Sequence, residues 1–115
     1  MNISVEKKDG ICVIHLAGNL SGYAETEQLH AEVKNCLTEK IIKIIIDLKA
    51  VHWMGSVGLG VLICCLTSIR DAGGVLHLTG LNDKVKDLME ISKLNVIFEI
   101  YNTVEEAKKG FVSGS

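Results

Sequence analysis

The sequence predicts an α/β fold, a mixed sheet of about four to five strands with about four helices packed against it, and three observations carry that prediction. Ile41 to Asp47 (IIKIIID) is a nearly unbroken β-branched apolar run, the pattern of a parallel strand covered on both faces. A long apolar segment from Val57 is closed by Asp71-Ala72-Gly73-Gly74, a glycine stop, and reads as a buried helix. Val75 to Thr79 (VLHLT) then gives a second short strand, and the order strand, helix, strand places the two in parallel through a right-handed crossover.

The other elements follow in chain order. Ile3 to Glu6 and Ile11 to Leu16 are apolar-alternating runs around Lys7-Lys8-Asp9-Gly10, where Asp-Gly is a two-residue hairpin signal. Ala17 to Tyr23, rich in glycine and small polar residues, is expected to be a loop at the end of the second strand. Thr26 to Leu37 sets Leu29, Val33, Cys36 and Leu37 on one helical face. After the central strand, Lys49 to Gly55 is expected to be a turn, and the helix from Val57 to Arg70 should bury Leu59, Leu62, Ile63 and Leu66. Asn82 or Asp83 caps a helix reaching Ser92, with Leu81, Val85, Leu88 and Met89 inward; Phe98 to Tyr101 is a last strand. Thr103 opens a final helix with the capping-box pattern Thr103-Val104-Glu105-Glu106, burying Val104, Ala107 and Phe111. Residues 1–111 thus read as a single domain, and the tail from Val112 to Ser115 should fray.

Composition narrows the function classes. With 48% hydrophobic and 4% aromatic residues the core is aliphatic, and a net charge of -2 provides no basic field for nucleic acid, so the expected partner is a protein. The apolar stretch from Val57 to Leu66 is too short to span a bilayer, and the first ten residues have no signal-peptide core, which predicts a cytoplasmic protein. Cys12, Cys36, Cys64 and Cys65 show no C-x-x-C spacing and are expected to be inert buried hydrophobes. His15, His30, His52 and His77 lack metal-site spacing, so neither metal nor cofactor is predicted.

Ser56 is the residue with chemistry attached. It stands at the start of the long helix, where its hydroxyl is expected to cap, and where a phosphate on that oxygen would meet free amide donors and the positive end of the helix dipole. An esterase-like nucleophile elbow fits poorly: G-x-S-x-G needs glycine where Met54 stands, and His77 is the only later histidine. A P-loop fails because no Lys-Ser or Lys-Thr follows Gly58 and Gly60. The sequence therefore predicts a protein that is not an enzyme.

The segments IIIDLKAVHWMGSVGLGVL, AGGVLHLTGL and FEIYNTVEEA, in this element order, resemble the STAS domain of anti-sigma factor antagonists over nearly the whole chain. The resemblance implies a partner that is at once an anti-sigma factor and a serine kinase, release of a sigma factor on binding it, and a phosphatase that resets the switch. By this resemblance Ser56 matches the phosphoacceptor; the loop Gly18 to Tyr23 and the start of the helix are expected at one end of the molecule, so Ser21, Tyr23, Gly55, Ser56, Val57, Gly58 and Gly60 are the expected partner-binding residues. The family's Asp-Ser-Ser-Gly-Leu-Gly stands here as Gly55-Ser56-Val57-Gly58-Leu59-Gly60, and its Gly-Glu-Leu-Asp as Gly18-Asn19-Leu20-Ser21. Acceptor and glycines are kept while the carboxylates are absent. The alternative is an unswitched STAS scaffold or a lipid-transport accessory subunit, in which Ser56 is a helix cap.

Overall fold

A computed structural model describes residues 2–113, and they form one five-stranded sheet ordered β1-β2-β3-β4-β5. β1 (Asn2–Lys8) and β2 (Ile11–Leu20) are an antiparallel hairpin whose two loop residues, Asp9 and Gly10, have φ of 55° and 77°, the left-handed pair that a twist-matched two-residue turn requires. β3 (Lys43–Met54), β4 (Val75–Thr79) and β5 (Glu99–Tyr101) run parallel to β2, each next to its predecessor. The helices are α1 (Tyr23–Thr38), α2 (Ser56–Asp71), α3 (Asp83–Ile91) and α4 (Val104–Ser113), with a 3-10 turn at Leu94–Val96.

The sheet has two unequal sides. Ile14, Leu16, Ile44, Ile46, Leu76 and Leu78 join Leu29, Val33, Leu62, Ile69, Val85 and Met89 of α1, α2 and α3 in the main core. Val13 and Ile45 point the other way, into a small core under Ala107 and Phe111 of α4. His77 secures that helix: its Nδ1 donates to the Ala107 carbonyl at 2.9 Å, its Nε2 lies 2.6 Å from Glu99 Oε2, and its ring stacks on Phe111. Further along the same side, His15, Asp47 and Thr79 occupy paired register positions on β2, β3 and β4, with Asp47 Oδ2 2.7 Å from His15 Nδ1.

Several boundaries differ from the sequence reading. α1 starts at Tyr23 instead of Thr26, because extended Gly22 serves as its cap and its carbonyl accepts from Thr26 N at 3.2 Å; the expected loop shrinks to Ser21 and Gly22. Lys49 to Met54 continue β3 where a turn is expected. β2 extends to Leu20 alongside, and β3 takes one extra residue twice, between the pairs His15↔Asp47 and Ala17↔Ala50 and again between Gly18↔Val51 and Asn19↔Trp53. Those bulges hide the strand's alternation from a periodicity reading. In α2 the buried stripe is Leu59, Leu62, Cys65, Leu66 and Ile69, with Val61 beside it, so Ile63 falls outside at 38% exposed.

The cysteines do not share one environment. Cys12 of β2 and Cys36 of α1 are paired as a disulfide, and Cys64 is exposed; Cys65 alone is a buried free thiol. The expected caps of the last two helices are present, Asn82 Oδ1 accepting from Val85 N at 2.9 Å and Thr103 Oγ1 from Glu106 N at 3.1 Å. Of the tail expected to fray, Gly114 and Ser115 lie outside the described residues, and α4 runs through Ser113.

Candidate functional site

β2 and β3 end side by side, Leu20 opposite Met54, and each hands over to a helix within a residue or two. Gly55 N donates to the Leu20 carbonyl at 3.2 Å, which ties the start of α2 to the end of β2. Gly58 seats the helix there. A Cβ at that position would lie 2.2 Å from the Leu20 carbonyl oxygen and 2.8 Å from Met54 Cγ, so only glycine permits this approach. Gly58 is therefore buried beneath the site, while Gly60, half-buried, has open space where its Cβ would be.

Ser56 is not the cap. That position is Gly55, extended at φ -98° and ψ -176° with no side chain to offer, and Ser56 is the first helical residue. Its hydroxyl makes no capping bond, and the residue is exposed. Leu59 N is the first amide of the helix to find a carbonyl, that of Gly55 at 3.0 Å; the amides of Ser56, Val57 and Gly58 have no acceptor within the helix. An exposed hydroxyl on this turn is free to accept a phosphoryl group, and the group once attached would sit in the field of the helix's positive end.

Two neighbours frame the serine. Ser21 lies across Gly55, its Cβ 3.6 Å from where a Cβ on residue 55 would be, and Tyr23 follows at 76% exposed. On the other flank, a groove of about 590 Å³ runs between α2 and α3, lined by Trp53, Met54, Ser56, Leu59, Leu88 and Ile91, with Lys84 and Asp87 at its rim. Trp53 is 51% exposed and Ile91 81% exposed. The indole of Trp53 leans over Gly55, with ring atoms 3.1 and 3.4 Å from where that Cβ would stand. It takes the space in which the aspartate usual at this position in the resembled family would begin.

The sequence reading missed Trp53 and Ile91. The lone tryptophan, two residues before Gly55 and three before Ser56, is an available signal for the first. Ile91 carried none, because it follows Leu88 at i+3 and reads as more of the inner stripe of α3. His77, the remaining candidate base for a serine nucleophile, is buried under α4 and bonded to the Ala107 carbonyl.

Known proteins share this fold. The family profile of the STAS domain matches residues 2–107. The anti-sigma-B factor antagonist of Listeria monocytogenes is 36% identical over 109 residues, which is 92% of this chain and 95% of that protein. A crystal structure of a Thermotoga maritima protein superposes with a TM-score of 0.85 at 26% identity, covering 93% of this chain and 92% of that one. The Bacillus cell fate determinant SpoIIAA in its phosphorylated form superposes with a TM-score of 0.73 over 94% of this chain and 97% of that one, and at 21% identity supports the fold alone. The family match over residues 2–107 and a relative 36% identical over 92% of the chain show that the chain belongs to the STAS domain family.

Proposed function

We propose that this protein is an anti-sigma factor antagonist: it binds an anti-sigma factor that is also a serine kinase, frees the sigma factor, and is switched off by phosphorylation of Ser56. The observation that carries the reading is the placement of Ser56, exposed on the first turn of α2 between Ser21 and an apolar groove. Relatives named as anti-sigma factor antagonists, including those of Listeria monocytogenes and Bacillus subtilis, support it. The partner surface comprises Ser21, Tyr23, Gly55, Ser56, Val57 and Gly60, extended by Trp53 and Ile91, while Gly58 supports it from beneath. The protein acts in the cytoplasm by binding and catalyses nothing itself; a phosphatase restores the active form.

Physics gives the switch its direction. A phosphate of about -1.5 to -2 charges on Ser56 meets free amides and a favourable dipole, so the domain tolerates it. In the complex the same charge is desolvated against the partner, and an unpaired buried charge costs several kcal/mol, roughly two or more orders of magnitude in affinity. The test is incubation with anti-sigma kinases encoded in the same genome and ATP, read by intact mass, followed by calorimetric titration of the two forms. One phosphoryl group on Ser56 and a collapse of binding are expected. Phosphorylation that persists in Ser56→Ala, or unchanged binding of the phosphorylated form, would reject the switch.

A further inference from the structure

Cys12 and Cys36 stand apart from the other two cysteines. Cys12 lies in β2 opposite Ile44 and Lys7, with its side chain in the main core; Cys36 is the last buried position of the α1 stripe Leu29, Val33, Cys36. Their Cα atoms are 6.7 Å apart, within bridging range, and they are joined as a disulfide although 24 positions separate them in the chain. The segment they enclose contains the end of β2, Ser21, Gly22 and all of α1 up to its last turn. Cys64 is exposed and faces no such partner, and Cys65 has its thiol pushed up to about 12, first by burial and then by Cys64 beside it.

We propose that Cys12 and Cys36 form a reversible dithiol–disulfide couple, a modification site through which oxidation ties the last turn of α1 to β2. In a reducing cytoplasm the pair rests as two thiols packed as small hydrophobes, and an oxidant converts it. With a peroxide, one thiolate attacks a peroxide oxygen to give a sulfenic acid and water. The second sulfur then displaces hydroxide, which takes up the remaining proton, so two thiols and one peroxide give one disulfide and two waters. A dithiol reductant reverses the step by exchange. Cys12 is 0% and Cys36 1% exposed, so conversion waits on opening of the end of α1, where Glu39 and Lys40 amides close the helix and Glu39 pairs with Lys7 of β1. The couple is thus gated by the element it cross-links.

The test uses the full chain carrying Cys64→Ser, which removes the exposed thiol and with it disulfides between molecules. Protein reduced with dithiothreitol is treated with hydrogen peroxide, denatured, alkylated and mapped. We expect loss of two hydrogens in intact mass, a peptide linking Cys12 to Cys36, one alkylated cysteine at position 65, and a melting temperature raised by about 10 °C that dithiothreitol restores. In Cys36→Ala on the same background the peroxide-induced rise should vanish. A treated protein in which Cys12, Cys36 and Cys65 all remain alkylatable, or a linkage running through Cys65, would overturn the proposal. The linkage map decides by itself should Cys36→Ala not fold.

Discussion

At the scale of single residues, the shift of the α2 cap from Ser56 to Gly55 changes what substitutions mean. With no capping bond to lose, Ser56→Ala should alter stability by less than about 0.5 kcal/mol, as an exposed surface change does, and so becomes a clean control for phosphorylation. Ser56→Asp places a carboxylate in the first turn and should melt at or slightly above the unmodified protein while binding the anti-sigma partner far more weakly. Thermal melts and calorimetry on the same samples separate these outcomes. The two glycines of the Gly58-Leu59-Gly60 segment should answer in opposite directions. Gly58→Ala drives a methyl into the Leu20 carbonyl and should cost about 1–3 kcal/mol, whereas Gly60→Ala, entering open space in a helix, should gain up to about 1 kcal/mol. Denaturant titration measures each, and equal effects would mean that α2 does not rest on β2 as described.

At the scale of elements, the groove beside Ser56 depends on where α3 is held, and Asn82 holds it. Beyond Asp47, β3 pairs only with β2, since β4 stops at Thr79 opposite that residue, which leaves the later carbonyls of β3 open on one side. Asn82 Nδ2 donates to two of them, Val51 O at 3.1 Å and His52 O at 3.2 Å, while its Oδ1 caps α3 at Val85 N. One side chain therefore joins the strand that delivers Trp53 and Ser56 to the helix that delivers Leu88 and Ile91. Asn82→Ala should cost about 1–3 kcal/mol, more than a simple cap, and Asn82→Asp, which keeps the cap but loses the donor, should fall between. Partner affinity should drop in parallel with Asn82→Ala, because the groove loses its far wall; chemical denaturation and calorimetry provide the two readouts.

For the whole molecule, stability should fall in alkali through Cys65. Its folded thiol is raised from the ordinary 9.0 to about 12 by burial first and by Cys64 second, so above pH 9 the unfolded chain loses this proton before the folded one does. The contribution is fully present below pH 9 and declines by about 1.4 kcal/mol per pH unit until the folded thiol also ionises. Denaturation midpoints from pH 8 to 11 should decline more steeply for the unmodified chain than for Cys65→Ala, and parallel declines would contradict the buried placement. In the native protein a thiol reagent should label Cys64 rapidly and Cys65 slowly, since burial withholds both access and thiolate.

The sequence by itself determined the element order, the parallel centre within Ile41 to Asp47, which the structure starts at Lys43, the hairpin turn at Asp9-Gly10, the cap at Thr103 and, to within Asn82 or Asp83, the cap of α3. Each of these is written in a local pattern, through side-chain periodicity, left-handed turn residues or capping hydroxyl and amide groups. It also singled out Ser56 and the glycines around it. What only the tertiary structure decided are features that depend on a neighbour distant in the chain. β3 continues to Met54 because β2 lies alongside to pair with it, through bulges that break the alternation. Ile63 and Cys64 are exposed because packing sets the width of the buried stripe on α2, and an apolar composition cannot state it. Cys12 meets Cys36 because β2 and the end of α1 are brought together across the main core. Trp53 and Ile91 become walls of one groove because a strand end and a helix end converge beside Ser56, and side chains that meet only after folding leave no spacing in the sequence to read.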